Sequence, residues 1–103
     1  MAARSGDEVG HLWENYLVSE RAKWRLVHEP ETRDFFWRTT QQQEVDLVEE
    51  SAAELRGFEF KLDPKKAAKP ITKTFTSAYP QAVCRGISVE NYNEFLQKER
   101  ERR

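Results

Sequence analysis

Three strand-like segments follow one another between residues 35 and 62, and short polar linkers join them. The first segment, residues 35–40, is rich in aromatic and threonine residues, whereas residues 44–49 and 55–62 alternate apolar with polar side chains. Both compositions are typical of β-strands. Because only a short polar loop separates the second segment from the third, we expect these two strands to form a hairpin.

Helical patterns flank these strands. Apolar residues recur at helical spacing over residues 7–23 and again between Pro70 and Pro80, and Ser88 is placed to cap a final helix. A fourth strand, residues 81–87, lies between the last two helices, so the predicted order is αβββαβα. Because a strand–helix–strand unit implies a parallel crossover, we expect an α/β fold with a mixed central sheet of about four strands, flanked by helices.

The composition indicates one domain. The chain has 103 residues, of which 12% are aromatic, and this supplies enough bulky side chains for one core. We expect residues 10–97 to form the domain, residues 1–9 to be a flexible N-terminal lead and residues 98–103 to be a charged tail. The net charge is only -1, so total charge indicates no polyanionic partner, and only local charge can do so.

Several kinds of site are excluded by residue type. Four scattered glycines leave no phosphate-binding loop, so the chain is not expected to bind ATP by itself. His11 and His28 stand alone at their spacings and one cysteine cannot complete a zinc site, so we interpret both histidines as ordinary surface or rim residues.

The sequence also bears on location. No apolar run approaches the roughly 18 residues that a membrane helix needs, and the polar start has no signal-peptide core. The single cysteine, Cys84, lies in an apolar stretch and is interpreted as a packed core thiol. We therefore expect a cytoplasmic protein with no membrane partner.

Two acidic residues interrupt apolar strand segments, where acids are rare. Asp46 lies between Val45 and Leu47, and Glu59 lies between two phenylalanines. With a hairpin loop of about four residues, Asp46 falls opposite or diagonal to Glu59, and such like charges repel. A divalent cation such as Mg2+ or Mn2+ would offset this repulsion, since Mg2+ takes one or two carboxylates, several waters and phosphate oxygens.

The period of a strand predicts which residues share a face. We expect Val45 and Leu47 on one face of the second strand, with Glu44, Asp46 and Val48 on the other.

Two further residues complete the candidate site. Lys61 follows Glu59 by two residues and returns to the same strand face, where its ammonium suits a phosphate or a metal-bound water. Glu14, on the first helix, can add another ligand directly or through water. The pattern is also compatible with a solvated strand face and an exposed helix glutamate, so both interpretations stay open.

These residues resemble the PD-(D/E)XK, or restriction-endonuclease-like, superfamily, whose core has an acid on its second strand and Glu-x-Lys on its third. Asp46 and the run Glu59, Phe60, Lys61 match that pattern. The resemblance implies a nuclease-like fold, Mg2+ dependence and nucleic-acid phosphodiesters as substrate, with Asp46 and Glu59 as metal ligands and with Glu14 and Lys61 at family positions.

A narrower resemblance covers about residues 10–97. The segments GHLWENYLVSE, FFWRTTQQQEVDLV and FEFK are similar to a prokaryotic domain of unknown function that usually forms the C-terminal part of AAA-type ATPases. This resemblance implies an ATPase domain as a partner. We expect the chain to be a fragment or a separately expressed domain, because it carries no ATPase module.

Local charge gives independent support for a nucleic-acid partner. Between Lys61 and Lys73 the segment holds five lysines and one acid, Asp63. Besides Lys61, the lysines predicted to bind nucleic acid, most simply DNA, are Lys65, Lys66, Lys69 and Lys73. A solvated loop and helix start would have the same composition.

Three functions follow as alternatives. The first is a Mg2+-dependent nuclease-type phosphodiesterase in which Asp46 and Glu59 hold the metal and Lys61 assists the attacking water. The second is a catalytically inactive accessory module of an ATPase that binds nucleic acid or a protein. The third is an assembly domain that pairs as a homodimer through exposed aromatic residues.

Overall fold

The computed structural model describes residues 6–97 as a mixed α/β fold, which confirms the predicted class. The helices and strands are α1 (Gly6–His28), β1 (Arg33–Arg38), β2 (Glu44–Glu50), β3 (Leu55–Phe60), α2 (Pro64–Ala67), α3 (Lys73–Ala78), β4 (Val83–Ile87) and α4 (Tyr92–Gln97). The predicted tail at residues 98–103 and the first five residues of the predicted lead lie outside the described part. Residues 6–9 of that lead form the start of α1.

The four strands form one sheet in the order β1-β2-β3-β4. β1, β2 and β3 are antiparallel neighbours, and Leu47 pairs with Phe58 in the predicted hairpin. β4 lies parallel to β3, with Phe60 opposite Ile87. The sheet is therefore mixed, and α2 and α3 belong to the crossover connection between its two parallel strands.

Each face of the sheet carries a hydrophobic cluster. One cluster joins the sheet to α1 and α4, and its buried members are Leu17, Leu47, Phe58, Phe60, Ile87 and Phe95. The other joins the sheet to α3 and contains Val45, Val48, Ile71 and Phe75. Cys84 packs against this second cluster as a half-buried thiol. The sheet is thus the middle layer of three, as expected for helices on both faces.

A bulge in β2 overturns the predicted arrangement of its two faces. Phe35 pairs with Val48, but Trp37 pairs with Val45, so β2 has one residue more than β1 between these pairs. The extra residue brings Val45 onto the same face as Val48, while Leu47 lies on the opposite face. Val45 and Leu47 therefore do not share a face, because strict alternation holds only for a strand without a bulge.

The connection from β3 to β4 contains a short helix that the sequence pattern did not predict. α2 begins at Pro64, and the carboxylate of Asp63 accepts the Lys65 N–H at 2.9 Å as a helix cap. The predicted helix from Pro70 begins only at Lys73, because the Thr72 side chain caps it by accepting the Thr74 N–H at 3.3 Å. α2 packs closely against β4 at Gly86, where a Cβ atom would lie 1.8 Å from the Ala67 carbonyl oxygen.

A buried ion-pair network holds α1 against the sheet. Glu49 of β2 is 0% exposed, and its carboxylate accepts hydrogen bonds from Arg21 at 2.8 and 3.0 Å and from Arg25 at 2.6 Å. Arg56 Nε of β3 lies 3.0 Å from the same carboxylate, and Arg21 also donates to the Phe95 carbonyl of α4 at 2.7 Å. Although burial raises it, the pKa of Glu49 is held below its usual range by Arg21, Arg25 and Arg56.

The sequence predicts no membrane-spanning helix, and the length and apolar character of the helices can be compared with this prediction. Within residues 6–97, no helix combines the length and the apolar character needed to span a bilayer.

Candidate active site

Asp46 lies at the bulge of β2 and is held by the backbone of the next strand. Its Oδ2 atom accepts the Phe60 N–H at 2.9 Å. The register of β2 and β3, continued by one residue beyond the pair Leu47–Phe58, places Asp46 opposite Glu59. The Asp46 side chain, and not a backbone carbonyl, thus accepts the Phe60 N–H. A carboxylate therefore lies at the end of the hydrogen-bonded pairing between β2 and β3.

Three carboxyl groups meet around Asp46. It shares side-chain hydrogen bonds with Glu59 of β3 and with Glu14 of α1. A hydrogen bond between two carboxyl groups requires a proton on one of them. The three acids thus come from α1, β2 and β3. Glu14 belongs with the other two although it lies far from them in the sequence.

Burial and mutual repulsion determine how these acids ionise. Burial, followed by the charge of Asp46, raises the pKa of Glu59 to about 8. The same two causes raise the pKa of Glu14 to about 7, and the charge of His11 acts in the opposite direction. Such values are typical of carboxylates that are brought together with too little compensating charge. The group therefore favours a proton or a cation.

Lys61 provides the nearest compensating charge. It directly follows β3, its backbone N–H donates to the Ile87 carbonyl at 2.9 Å, and its side chain is exposed. The Lys61 charge lowers the pKa values of both Glu14 and Glu59, so the ammonium compensates part of the negative charge of both acids. The four residues predicted from the sequence thus lie together.

Two cavities flank these residues. The α1 cavity has a volume of about 430 Å³ and is lined by Glu14, Lys61 and Lys66, among others. The lysine cavity has a volume of about 400 Å³ and is lined by Glu59, Lys61, Lys66 and Lys69. Lys61 and Lys66 line both, so a molecule that contacts the acids can extend from one cavity into the other.

The other predicted lysines are distributed unequally. Lys73 lines a third cavity of about 670 Å³, the β4 cavity, together with Lys69. Lys65 is exposed on α2 but lines none of these three cavities. Lys65 and Lys66 are therefore placed differently on α2, although the sequence pattern does not distinguish them.

His11, Trp13 and Arg85 were not predicted as site residues. His11 and Trp13 line the α1 cavity, and Arg85 lines the β4 cavity. His11 precedes Glu14 by three residues, which is the spacing of neighbours on one helix face and was an available signal. No comparable local signal connects Arg85 with the lysines, because β4 joins them only through the parallel pairing.

The carboxylates of this group can be compared with the ligands that a metal ion requires. Across the described residues, no group of three or more His, Cys, Asp or Glu side chains is arranged to hold a metal ion. Mg2+ commonly takes only one or two protein carboxylates and keeps several waters. Asp46 and Glu59 share a hydrogen bond and repel each other when both are ionised. This pair fits a hydrated Mg2+ or Mn2+ ion, although not a metal held in a protein cage.

Comparison with known proteins gives one match. A model of the family described as a domain of unknown function, DUF4143, matches residues 9–102. No curated protein matches the chain, and no solved structure does. The match agrees with the narrower resemblance in that the matched family is a domain of unknown function. The matched region extends over nearly the whole chain and includes Glu14, Asp46, Glu59 and Lys61. The chain therefore belongs to the DUF4143 family.

Proposed function

We propose that this domain hydrolyses phosphodiester bonds of nucleic acid in a reaction that depends on Mg2+ or Mn2+. The observation that carries the proposal is the carboxylate group itself. Asp46 shares hydrogen bonds with Glu14 and Glu59, and the charge of Lys61 lowers the pKa values of both glutamates. The pattern of acids on the second and third strands followed by Lys61 also resembles the PD-(D/E)XK nucleases, which supports the same chemistry.

Asp46 and Glu59 are the residues that would hold the metal. A bound Mg2+ would lower the pKa of a coordinated water and offset negative charge on the phosphate. The Phe60 N–H helps to fix the orientation of Asp46, because it donates to the Oδ2 atom from the backbone of the next strand. This constraint is a form of preorganisation, since the strand backbone, not solvent, determines where the oxygen lies.

The remaining residues act on the substrate and on protons. Lys61 lies between the α1 cavity and the lysine cavity, where its ammonium can bind a phosphate oxygen or orient the attacking water. Glu14 shares a hydrogen bond with Asp46 and has a pKa of about 7, which suits a group that accepts or releases a proton near neutral pH. Its assigned role is to support the site, not to complete a set of metal ligands.

A second candidate function is a catalytically inactive accessory module of an AAA-type ATPase. It is favoured by the finding that the described residues contain no group of three metal-ligating side chains. In this case the lysine-lined cavities would bind nucleic acid, or a protein, without cleavage. We further propose a cytoplasmic location, and we keep the ATPase domain and a homodimer as proposed partners.

Cleavage assays with matched variants test the two functions. Labelled single-stranded DNA, duplex DNA and RNA are incubated with the protein in Mg2+, in Mn2+ and in chelator. Asp46→Asn keeps an oxygen that can accept the Phe60 N–H but removes the charge, and Lys61→Ala removes the ammonium. Glu90→Gln and Lys23→Ala change one exposed charge each, away from the carboxylates, and serve as controls.

The proposed nuclease function predicts metal-dependent cleavage that falls by about 100-fold or more in Asp46→Asn and Lys61→Ala, as when a transition-state donor is removed. The two control variants should retain the wild-type rate. Cleavage that survives in both site variants would overturn the assignment of the site. Salt-sensitive binding without any cleavage would instead support the accessory module.

A further inference from the structure

The three cavities adjoin one another along the surface. The α1 cavity and the lysine cavity share Lys61 and Lys66. The lysine cavity and the β4 cavity share Lys69 and the apolar residues that follow it, Pro70 and Ile71. The segment between α2 and α3 therefore forms a common wall of the last two cavities. We refer to these three adjoining cavities, which follow one another from α1, past the carboxylates, to β4, as the groove.

The charge of the groove changes along its length. Glu14 and Asp63 line the α1 cavity, and Glu44 and Glu59 line the lysine cavity, in each case beside lysines. In the β4 cavity, by contrast, the charged residues among the described lining residues are all cationic, namely Lys69, Lys73 and Arg85. Arg85 is already paired with Glu94 of α4 at 3.1 Å, so the positive charge of this cavity comes from the two lysines.

The shape of the β4 cavity is determined by the close contact between α2 and β4. Gly86 and Ala67 line it, and a Cβ atom at Gly86 would lie 1.8 Å from the Ala67 carbonyl oxygen, so no larger side chain fits there. Small residues thus form part of the wall, while the lysines come from the segment after α2 and from the start of α3. Such a recess presents positive charge to a molecule that enters it.

We propose that the β4 cavity binds the sugar-phosphate backbone of a single nucleic-acid strand next to the bond that the carboxylates address. The proposal deepens the proposed function and rests on it for the position of that bond. A strand running along the groove meets Lys61 and Lys66 beside the acids, then Lys69, and finally Lys73. Single-strand binding sites are commonly grooves whose positive charges follow the backbone.

A single strand fits this arrangement better than a duplex. The phosphates of a duplex lie on a broad outer surface, which lysines can contact from an open helix face, as Lys65 would. The cations of the β4 cavity line a recess instead, and a single strand is slender enough to enter it. The charge order along the groove also implies that the strand extends farther on the β4 side of the carboxylates than on the α1 side.

Cys84 provides a direct probe of this path. It is the only cysteine of the chain and it lines the β4 cavity. Burial raises the pKa of its thiol, so its reaction with a disulfide reagent is best followed under alkaline conditions. A strand lying in the cavity should shield this thiol from the disulfide reagent. The measurement therefore detects binding even when the nucleic acid is not cleaved.

The experiment measures the rate of Cys84 modification in chelator, which prevents cleavage. The probes are an oligothymidylate single strand and a duplex of the same length, each present at saturation as judged by fluorescence anisotropy. We expect the single strand to slow modification by about tenfold and the duplex to change it by less than about twofold, because only the slender strand enters the recess. Binding of the single strand without shielding of Cys84 would overturn the proposal, and equal shielding by the duplex would overturn its single-strand specificity.

Charge variants provide a second readout. Lys69→Ala and Lys73→Ala should each weaken binding of the single strand and reduce the slope of log affinity against log salt by about one. Lys66→Ala should weaken binding more than Lys65→Ala does, and the exposed Lys23→Ala should leave it unchanged. Circular dichroism confirms that each variant is folded. Unchanged affinity and salt slope in both Lys69→Ala and Lys73→Ala would contradict the proposal.

The outcomes separate this proposal from the proposed function. Shielding of Cys84 by a strand that is never cleaved in Mg2+ would support the nucleic-acid path and reject the nuclease. Cleavage in Mg2+ without shielding of Cys84 would support the nuclease and reject the nucleic-acid path. Absence of both binding and cleavage would overturn the two together.

Discussion

The acids around Asp46 illustrate how a single side chain can create a site. Its Oδ2 atom accepts a backbone N–H from β3, and its charge adds to burial in raising the pKa values of the two glutamates that contact it. Glu59 and Glu14 consequently bind protons more tightly in the folded chain than in the unfolded chain. The stability of the protein must therefore depend on pH.

The direction of this pH dependence follows from the sign of the shifts. A carboxyl group with a raised pKa stabilises the fold fully below its ordinary pKa of 4.5, and this contribution is lost as the pH rises through about 7 for Glu14 and about 8 for Glu59. In chelator, we expect the urea midpoint of the wild type to fall between about pH 5 and about pH 9. Glu59→Gln, which stays neutral, should lose less stability over this range.

The matched control for this measurement is Glu90→Gln, which removes an exposed carboxylate elsewhere. Its stability should follow that of the wild type at each pH. If Glu59→Gln were as sensitive to alkaline pH as the wild type, the protonated state of Glu59 would not contribute to stability.

A second prediction concerns the buried charge of Glu49. Glu49→Gln keeps the shape of the side chain but leaves Arg21, Arg25 and Arg56 without their common counter-charge. Removing one partner of a buried ion pair typically costs about 3–5 kcal/mol of unfolding free energy. Equilibrium urea unfolding measures this loss.

The comparison for Glu49 is the exposed pair of Lys23 with Glu20 on α1, whose atoms are 2.8 Å apart. Glu20→Gln should cost no more than about 0.5 kcal/mol, as is usual for exposed pairs on helices. Equal losses for the two variants would mean that the network around Glu49 does not hold α1 on the sheet.

At the scale of helices and strands, the order of the main elements follows from local patterns, whereas the details of β2 do not. The alternation of β3 places Glu59 and Lys61 along the lysine cavity. The bulge in β2 could not be predicted in this way, since it is a property of the pairing with β1, and the Asp46 side chain at the bulge binds the backbone of a different strand. α2 was missed because its four residues are too few to show a helical period, although the Asp63 cap was visible in the sequence.

The contact between α2 and β4 gives a prediction at the same scale. Gly86→Ala would place a Cβ atom 1.8 Å from the Ala67 carbonyl oxygen, so α2 would have to move away from β4. We expect a loss of about 1–3 kcal/mol or more, as for overpacked interiors. Thermal or urea unfolding of the purified variant measures this.

Gly10→Ala is the matched control for the glycine of β4. Gly10 lies within α1, and a Cβ atom there meets nothing within 4 Å. Alanine is favoured over glycine inside a helix by about 0.5–1 kcal/mol, so this variant should be more stable than the wild type. A stable Gly86→Ala variant would show that α2 is not tightly packed.

For the whole molecule, distant contacts decide which residues of a pattern take part in the site. Lys65 and Lys66 are adjacent in the sequence, but only Lys66 lines the cavities beside the acids. The buried network was equally hidden, because Arg21 and Arg25 lie 28 and 24 residues from Glu49 in the sequence. Residue type and spacing were enough to predict that Asp46, Glu59, Lys61 and Glu14 lie near one another. Burial and charge compensation, by contrast, depend on the complete fold.

A final prediction couples the metal to the stability of the entire fold. α1, β2 and β3 each contribute one acid to the site, so an ion held by Asp46 and Glu59 binds only when these elements are assembled. Mg2+ at ten times its dissociation constant should therefore stabilise the folded chain by about 1.4 kcal/mol. The gain should be larger at about pH 9 than at about pH 5, since protons compete with the metal for Glu59.

Differential scanning calorimetry with and without Mg2+ measures this gain. For a domain of this size, a change of about 1 kcal/mol corresponds to a shift of about 4–8 °C in Tm. Chelator should reverse the shift, Asp46→Asn should abolish it, and Lys23→Ala should retain it, because Lys23 lies on the exposed side of α1. An equal shift in Asp46→Asn would mean that Mg2+ acts elsewhere on the protein, and the metal would then have to be removed from the proposed site.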